Sequence, residues 1–132
     1  MSISIEETTT LALDFSKLDS VAGVIPVAIQ HAETGEVLLI AYTNGEALRE
    51  TLRTRQLILW STSRGNLWHK GKESGNTFRV ESVRVNCEQN SLVYQVTPQQ
   101  GGICHTKNPN GAYRMSCYYR NLNLDTGELE YD

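Results

Sequence analysis

The 132-residue sequence holds no apolar run long enough to cross a bilayer as a helix, which takes about 20 predominantly apolar residues. It also lacks a basic excess: 12 Lys and Arg face 15 Asp and Glu, for a formal charge of −3. General nucleic-acid binders and proteins that coat anionic membranes carry basic faces, so neither partner class is expected. The first ten residues, M-S-I-S-I-E-E-T-T-T, lack the basic start and apolar core of a secretory signal, and a cytoplasmic location is the expectation. Cysteine is scarce as well. The three present are Cys87, Cys104 and Cys117, and no two of them form a C-x-x-C pair. An odd number cannot pair completely within one chain, and a reducing cytosol disfavours pairing. The thiols are therefore free core groups, metal ligands or nucleophiles.

What is present fits one folded domain over residues 1–132, with 39% hydrophobic and 20% charged residues and no internal repeat. Residues 1–10 are polar and β-branched, suited to a loose segment or an added sheet edge, and Leu11 to Leu18 settles into no single period. Val24–Ile29 and Val37–Tyr42 predict a hairpin turning at Thr34-Gly35, with apolar runs continuous enough to expect both faces covered. Thr43-Asn44-Gly45-Glu46 has the spacing of a capping box with Thr43 as the N-cap. The helix that follows places Ala47, Leu48 and Leu52 on one face and Arg49, Glu50 and Arg53 on the other, and stops near Arg55. Leu57–Trp60 predicts a strand, and 61–77 a long aperiodic loop. Phe78 to Val85 predicts a strand with a register change near Glu81-Ser82, and Leu92 to Val96 another. Cys104 and the run from Cys117 to Leu124 are further extended candidates.

The chemistry concentrates between Trp60 and Tyr119, which holds all three cysteines, both tryptophans and two of the three histidines. Any single free Cys is commonly a small buried hydrophobe. Here each thiol has polar neighbours: Asn86 and Glu88, His105 and Thr106, and Ser116. That setting suits thiolate ligation of zinc, and three protein ligands would leave the open position that catalytic zinc requires. His105 is a candidate fourth ligand, a proton shuttle or an ordinary satisfied histidine. His31, beside the hairpin turn, is expected at the surface. The loop with Arg64, His69, Lys70 and Lys72 is either a solvated surface or a phosphate site to which Ser74, Gly75 and Asn76 offer donors. Trp60 and Trp68 are expected as core or interface anchors.

The segments G-V-I-P-V-A-I-Q, T-G-E-V-L-L-I-A-Y-T-N-G-E-A-L-R-E-T-L and W-S-T-S-R-G-N-L-W-H-K-G-K-E-S-G-N, followed by the three Cys-centred blocks, resemble the phosphoribosyl-AMP cyclohydrolase family. The likeness runs in order from Val24 to Arg120. It implies a compact α+β fold in an intertwined homodimer, with sites built across the interface around a small nucleotide substrate. It implies zinc on Cys87, Cys104 and Cys117, drawn from both subunits, and a water-activating or proton-shuttling role for His105. The basic, glycine-bearing loop of an otherwise acidic chain itself points to Arg64, Lys70 and Lys72, with Ser74 and Asn76, as the contacts for a substrate phosphate.

Two departures stand out. The family's magnesium block, Asp-Cys-Asp-x-Asp, reads here Asn86-Cys87-Glu88-Gln89-Asn90, so a hard cation that prefers carboxylate oxygens loses most of its attraction. Between Thr106 and Cys117 the sequence inserts K-N-P-N-G-A-Y-R-M, where Pro109-Asn110-Gly111 is turn chemistry. Such an insertion either loops out with the ligands in place or reshapes the substrate mouth. Three functions remain open: the family's histidine-biosynthesis hydrolase, a paralogue acting on another purine or nitrogen heterocycle, and a zinc-stabilised dimer that binds a nucleotide without turnover.

Overall fold

A computed structural model describes residues 23–131; the expectations for residues 1–10 and for Leu11 to Leu18 lie outside the described residues. The fold is α+β, strand-rich with one helix among the described residues. Strands β1 (Ile25–His31) and β2 (Val37–Thr43) form the expected hairpin. His31 closes its turn: the main chain donates to Glu36 O at 2.8 Å, and ring Nδ1 accepts from the Glu33 amide at 3.1 Å. Helix α1 (Gly45–Thr54) follows, then β3 (Ile58–Ser61), β4 (Asn66–His69), β5 (Phe78–Val85), β6 (Leu92–Pro98), β7 (Arg120–Leu122) and β8 (Leu129–Tyr131).

The main sheet has the order β2-β1-β6-β5. β1 is antiparallel to β2 and parallel to β6, while β5 and β6 are antiparallel with a bulge between Val80 and Ser82, at the predicted register change. The Arg55–Leu57 connection continues this sheet, since Leu57 N donates to Phe78 O at 3.0 Å and Val80 N to Arg55 O at 2.8 Å. One core unites the sheet's inner face with α1 and β3, built from Val27, Ile29, Leu38, Leu59, Phe78 and Tyr94 among others. Met115, Cys117 and Trp68 pack against its margin, so the thiol segment is seated on the core.

Four expectations change. The N-cap is Asn44, whose Oδ1 accepts from Ala47 N at 2.9 Å. Thr43 is unavailable because it is the fully buried last residue of β2, paired with Ile25. The inner face of α1 is Ala47, Leu48 and Thr51, while Leu52 is 44% exposed. Thr51 Oγ1 donates to Ile58 O at 2.8 Å and accepts from Ile58 N at 3.2 Å, which ties the helix to β3 and turns Leu52 outward. The 61–77 segment is not all loop: β4 pairs with β3 through Leu59↔Trp68 and Ile58↔His69. Finally, β2 is an edge strand with alternating burial, and Val37, Ile40 and Tyr42 are exposed. A period of two puts Ile40 and Tyr42 on the face away from the core, and the register shift opposite Ile29 and Gln30 brings Val37 to the exposed side as well, where no described element of this chain covers them.

Candidate functional site

Two of the three cysteines meet. Main-chain pairing brings them together: Ile103 N donates to Met115 O at 3.1 Å, and Cys104 N to Arg114 O at 3.0 Å. The approach depends on Gly102, where a Cβ would collide with the main-chain carbonyl oxygens of Arg114 and Tyr113. The insertion continues this pairing as a small hairpin, with Arg114 N to Thr106 O at 3.0 Å and Asn108 N to Ala112 O at 2.8 Å, and Pro109-Asn110-Gly111 in its turn. Cys117 is anchored from its other side. Its amide donates to Leu38 O at 2.9 Å, and the buried Ser116 hydroxyl donates to Val37 O at 2.8 Å, so the strand edge of β2 fixes the second thiol.

The pair is electrically asymmetric. Burial opposes ionisation of Cys104, but hydrogen bonds from the Thr106 hydroxyl, the Thr106 amide and the Cys117 thiol, with the nearby Arg114 charge, bring its pKa below the ordinary thiol value. Cys117 is pushed up to about 11 by burial and by the neighbouring Cys104. Of the two, Cys104 is the more readily ionised and Cys117 holds its proton more tightly. Burial lowers the Lys70 pKa, and the charges of Cys117 and Cys104 work against that lowering. Its ammonium is thus a second cation near the thiols, besides Arg114, and its Nζ lies 5.0 Å from the Trp68 ring centroid.

A cavity of about 160 Å³ collects Lys70, Ser74, Asn76, Cys104, His105 and Tyr113. The candidate proton shuttle, three of the five candidate substrate contacts and one candidate metal ligand therefore share a wall. The other two substrate candidates, Arg64 and Lys72, line a neighbouring cavity of about 300 Å³, joined to the first by Lys70 and Ser74. Gly71 lets that basic segment fold back, since it adopts φ 84° and a Cβ there would strike the Asn76 carbonyl. A roomier cavity of about 600 Å³ lies beyond Arg114, lined by Pro109, Tyr119 and Tyr131, so the inserted hairpin shapes a mouth as well as holding the thiols.

Sequence reasoning missed the part played by His69. Its ring Nε2 is buried without a hydrogen-bond partner among the described residues, and the residue lines the basic cavity. The available signal was its place in β4, beside Trp68 and Lys70, which the aperiodic reading of 61–77 concealed. Trp60 and Trp68 are half-buried, and Trp68 packs against the core as an anchor.

Cys87 does not join the pair. Among the described residues no three His, Cys, Asp or Glu side chains gather in a metal-holding group. Cys87 is exposed on the turn between β5 and β6. Asn86 Oδ1 accepts from the Asn90 and Ser91 amides at 2.9 and 3.0 Å, and Asn86 Nδ2 donates to Asn90 Oδ1 at 2.6 Å. Both side-chain carbonyls are thus engaged within the turn. Glu88 is exposed beside them.

Comparison with known sequences identifies the same pattern. The family description "Phosphoribosyl-AMP cyclohydrolase" matches residues 39–119. A phosphoribosyl-AMP cyclohydrolase of Methanothermobacter thermautotrophicus is 49% identical over 109 residues, covering 83% of this chain and 73% of that protein. One from Streptococcus mutans is 41% identical over 114 residues, covering 86% of this chain and 95% of that protein. A histidine biosynthesis bifunctional protein of Thermus thermophilus is 47% identical over 100 residues, covering 76% of this chain and 44% of that protein.

Proposed function

The chain belongs to the phosphoribosyl-AMP cyclohydrolase family, and we propose that it is a zinc-dependent hydrolase of histidine biosynthesis that opens the adenine ring of phosphoribosyl-AMP at N1–C6. The observation that carries this reading is the shared cavity of Cys104, His105 and Lys70 with the Cys104–Cys117 pair at its edge. Two sulfurs in mutual hydrogen-bonding contact, one of them more readily ionised than an ordinary thiol, are a donor set suited to zinc. The third sulfur is Cys87, supplied by a second copy of the chain. The exposed apolar residues Val37, Ile40 and Tyr42 on β2 give such a partner a surface to cover.

When bound, zinc supplies Lewis acidity that brings water toward ionisation near neutral pH. The chain's own residues do the rest. Lys70, with Ser74 and Asn76, holds a substrate phosphate and orients the purine, while Arg64 and Lys72 extend the positive field along the adjoining cavity. The new bond joins the water oxygen to C6, the N1–C6 bond breaks, and the exocyclic nitrogen stays on C6. One proton of the water finishes on N1 and the other on the exocyclic nitrogen, so that C6 ends as a carboxamide. His105, exposed at the cavity wall, carries the proton to N1, a task suited to imidazole near neutral pH.

Magnesium does not fit Asn86, Glu88 and Asn90 in the same way. The asparagine carbonyls already accept hydrogen bonds within their own turn, and a hard dication would have to break them for one carboxylate. This clasp favours a second reading, a paralogue that uses the same site on another nitrogen heterocycle. Zinc-loaded protein incubated with phosphoribosyl-AMP and followed by ultraviolet absorbance separates the two. Ring opening that is indifferent to added magnesium supports the hydrolase proposed here. Binding without turnover of this substrate, and turnover of a different heterocycle, would establish the paralogue.

A further inference from the structure

The hairpin of β7 and β8 lies outside the family-matched segment 39–119, yet an unbroken run of contacts leads from it to a site thiol. Tyr131, on β8, stacks on Tyr119 with ring centroids 6.0 Å apart and planes 26° from parallel. The Arg114 guanidinium lies over both rings, 4.0 Å from the centroid of Tyr119 and 5.7 Å from that of Tyr131. From there Arg114 Nη1 donates to Thr106 Oγ1 at 3.2 Å. Thr106 Oγ1 is 2.9 Å from Cys104 Sγ, and the Thr106 amide donates to the same sulfur at 3.4 Å.

The direction of these hydrogen bonds matters. A threonine hydroxyl has one proton and two lone pairs. With Arg114 donating into a lone pair, the Thr106 proton is left for the sulfur, and each bond polarises the next. A guanidinium on a long flexible stem holds such a geometry only when its plane is fixed, and aromatic faces fix it by stacking and cation–π attraction. We propose that Arg114 is a positioning residue that sets the Cys104 sulfur through Thr106, and that the C-terminal hairpin serves the site by holding Arg114 with the ring of Tyr131. Only the consequence for metal retention rests on the reading of Cys104 as a zinc ligand.

Amide hydrogen exchange of the metal-free protein, resolved by NMR, tests this directly in Tyr131→Ala, Tyr131→Phe and Arg114→Gln proteins. The Thr106 amide should exchange about tenfold faster in Tyr131→Ala and Arg114→Gln, because its acceptor sulfur is no longer held. Tyr131→Phe keeps the ring and should match the parent. The Asn90 and Ser91 amides, held by Asn86 in the other turn, should not change in any of them. Unchanged Thr106 exchange in Tyr131→Ala, or an equal acceleration at Asn90 and Ser91, overturns the proposal. Tyr131 is 70% exposed near the surface of the fold, so this variant decides the matter even if Arg114→Gln fails to fold. Competition for zinc against a chelator is the second readout, with retention falling about tenfold in Tyr131→Ala, as loss of an outer partner weakens a metal site. Faster Thr106 exchange with unaltered zinc competition would refute Cys104 as a metal ligand and leave its positioning by Arg114 intact.

Discussion

Cys104 and Cys117 are held by the fold, whereas Cys87 is held by a turn. The first two hang from main-chain hydrogen bonds to Arg114 and Leu38 and sit against the core. The third is exposed, on a turn clasped by the amides of Asn86 and Asn90. A residue embedded in core-anchored pairing serves stability and chemistry together, so its loss confounds the two. An exposed thiol on a self-contained turn can be removed with little cost to the fold. The contrast therefore separates a functional role from a structural one.

The largest effect should come from breaking that contrast at both ends. Cys87→Ala and Cys104→Ala should each lose zinc and ring-opening activity. The loss should exceed the roughly 10- to 100-fold that removal of an outer hydrogen-bond partner costs a metal site. Only Cys104→Ala should also lower the urea midpoint. Elemental analysis, rate and unfolding measured on the same preparations check this, and full zinc content in Cys87→Ala would remove it from the ligand set.

Next in size is Gly102→Ala. The added methyl meets two carbonyl oxygens of the opposing segment, and forcing the segments apart should cost about 1–3 kcal/mol. Zinc retention should fall with it, since this approach places Cys104 beside Cys117. A parental midpoint in urea would show that the approach is not needed.

Lys70→Ala should leave folding intact and raise KM roughly 10- to 150-fold, in keeping with the roughly 1.5–3 kcal/mol of a hydrogen bond to a charged group. The dependence of KM on ionic strength should shrink as well. Apparent affinity unchanged at every salt concentration would return the 70–76 segment to a solvated surface.

The last test is a control placed in the core, away from either cysteine setting, where only the pH dependence of stability should change. Burial pushes the Tyr94 phenol up from 10.0 to about 12. The folded protein therefore keeps a proton that the unfolded chain releases first. This contribution to stability is complete below pH 10 and is lost progressively as pH rises from 10 to about 12. Stability measured across that range should fall less steeply in Tyr94→Phe than in the parent.

Much of this was legible in the residues because local chemistry decided it. Thr34-Gly35 and two apolar runs marked the β1–β2 hairpin, and the broken alternation at Glu81-Ser82 marked the bulge in β5. Tertiary contacts decided what was misread. Thr43 matched the capping box, but burial at the end of β2 left Asn44 to cap. Leu52 matched the apolar period, but the bonds from Thr51 to Ile58 set the rotation of α1. β4 is too short and polar to show a period and exists because β3 pairs with it. In the site, the cysteines and the basic loop stood out by residue type. The clasp of Asn86 on Asn90 and the close approach at Gly102 did not, because each depends on a partner brought in by folding.

The central claim is that one hydrolytic site is assembled from the Cys104–Cys117 pair of one protomer and the Cys87 of its partner. Cys87→Ser and Cys104→Ser chains carrying different affinity tags, co-expressed and isolated as mixed dimers, test it most directly. Each variant alone should be inactive on phosphoribosyl-AMP and poor in zinc. The mixed dimer has one intact site of two, and should recover about half of the parental activity with zinc to match. Mixed dimers as inactive as either variant alone, beside an active parent, would contradict it.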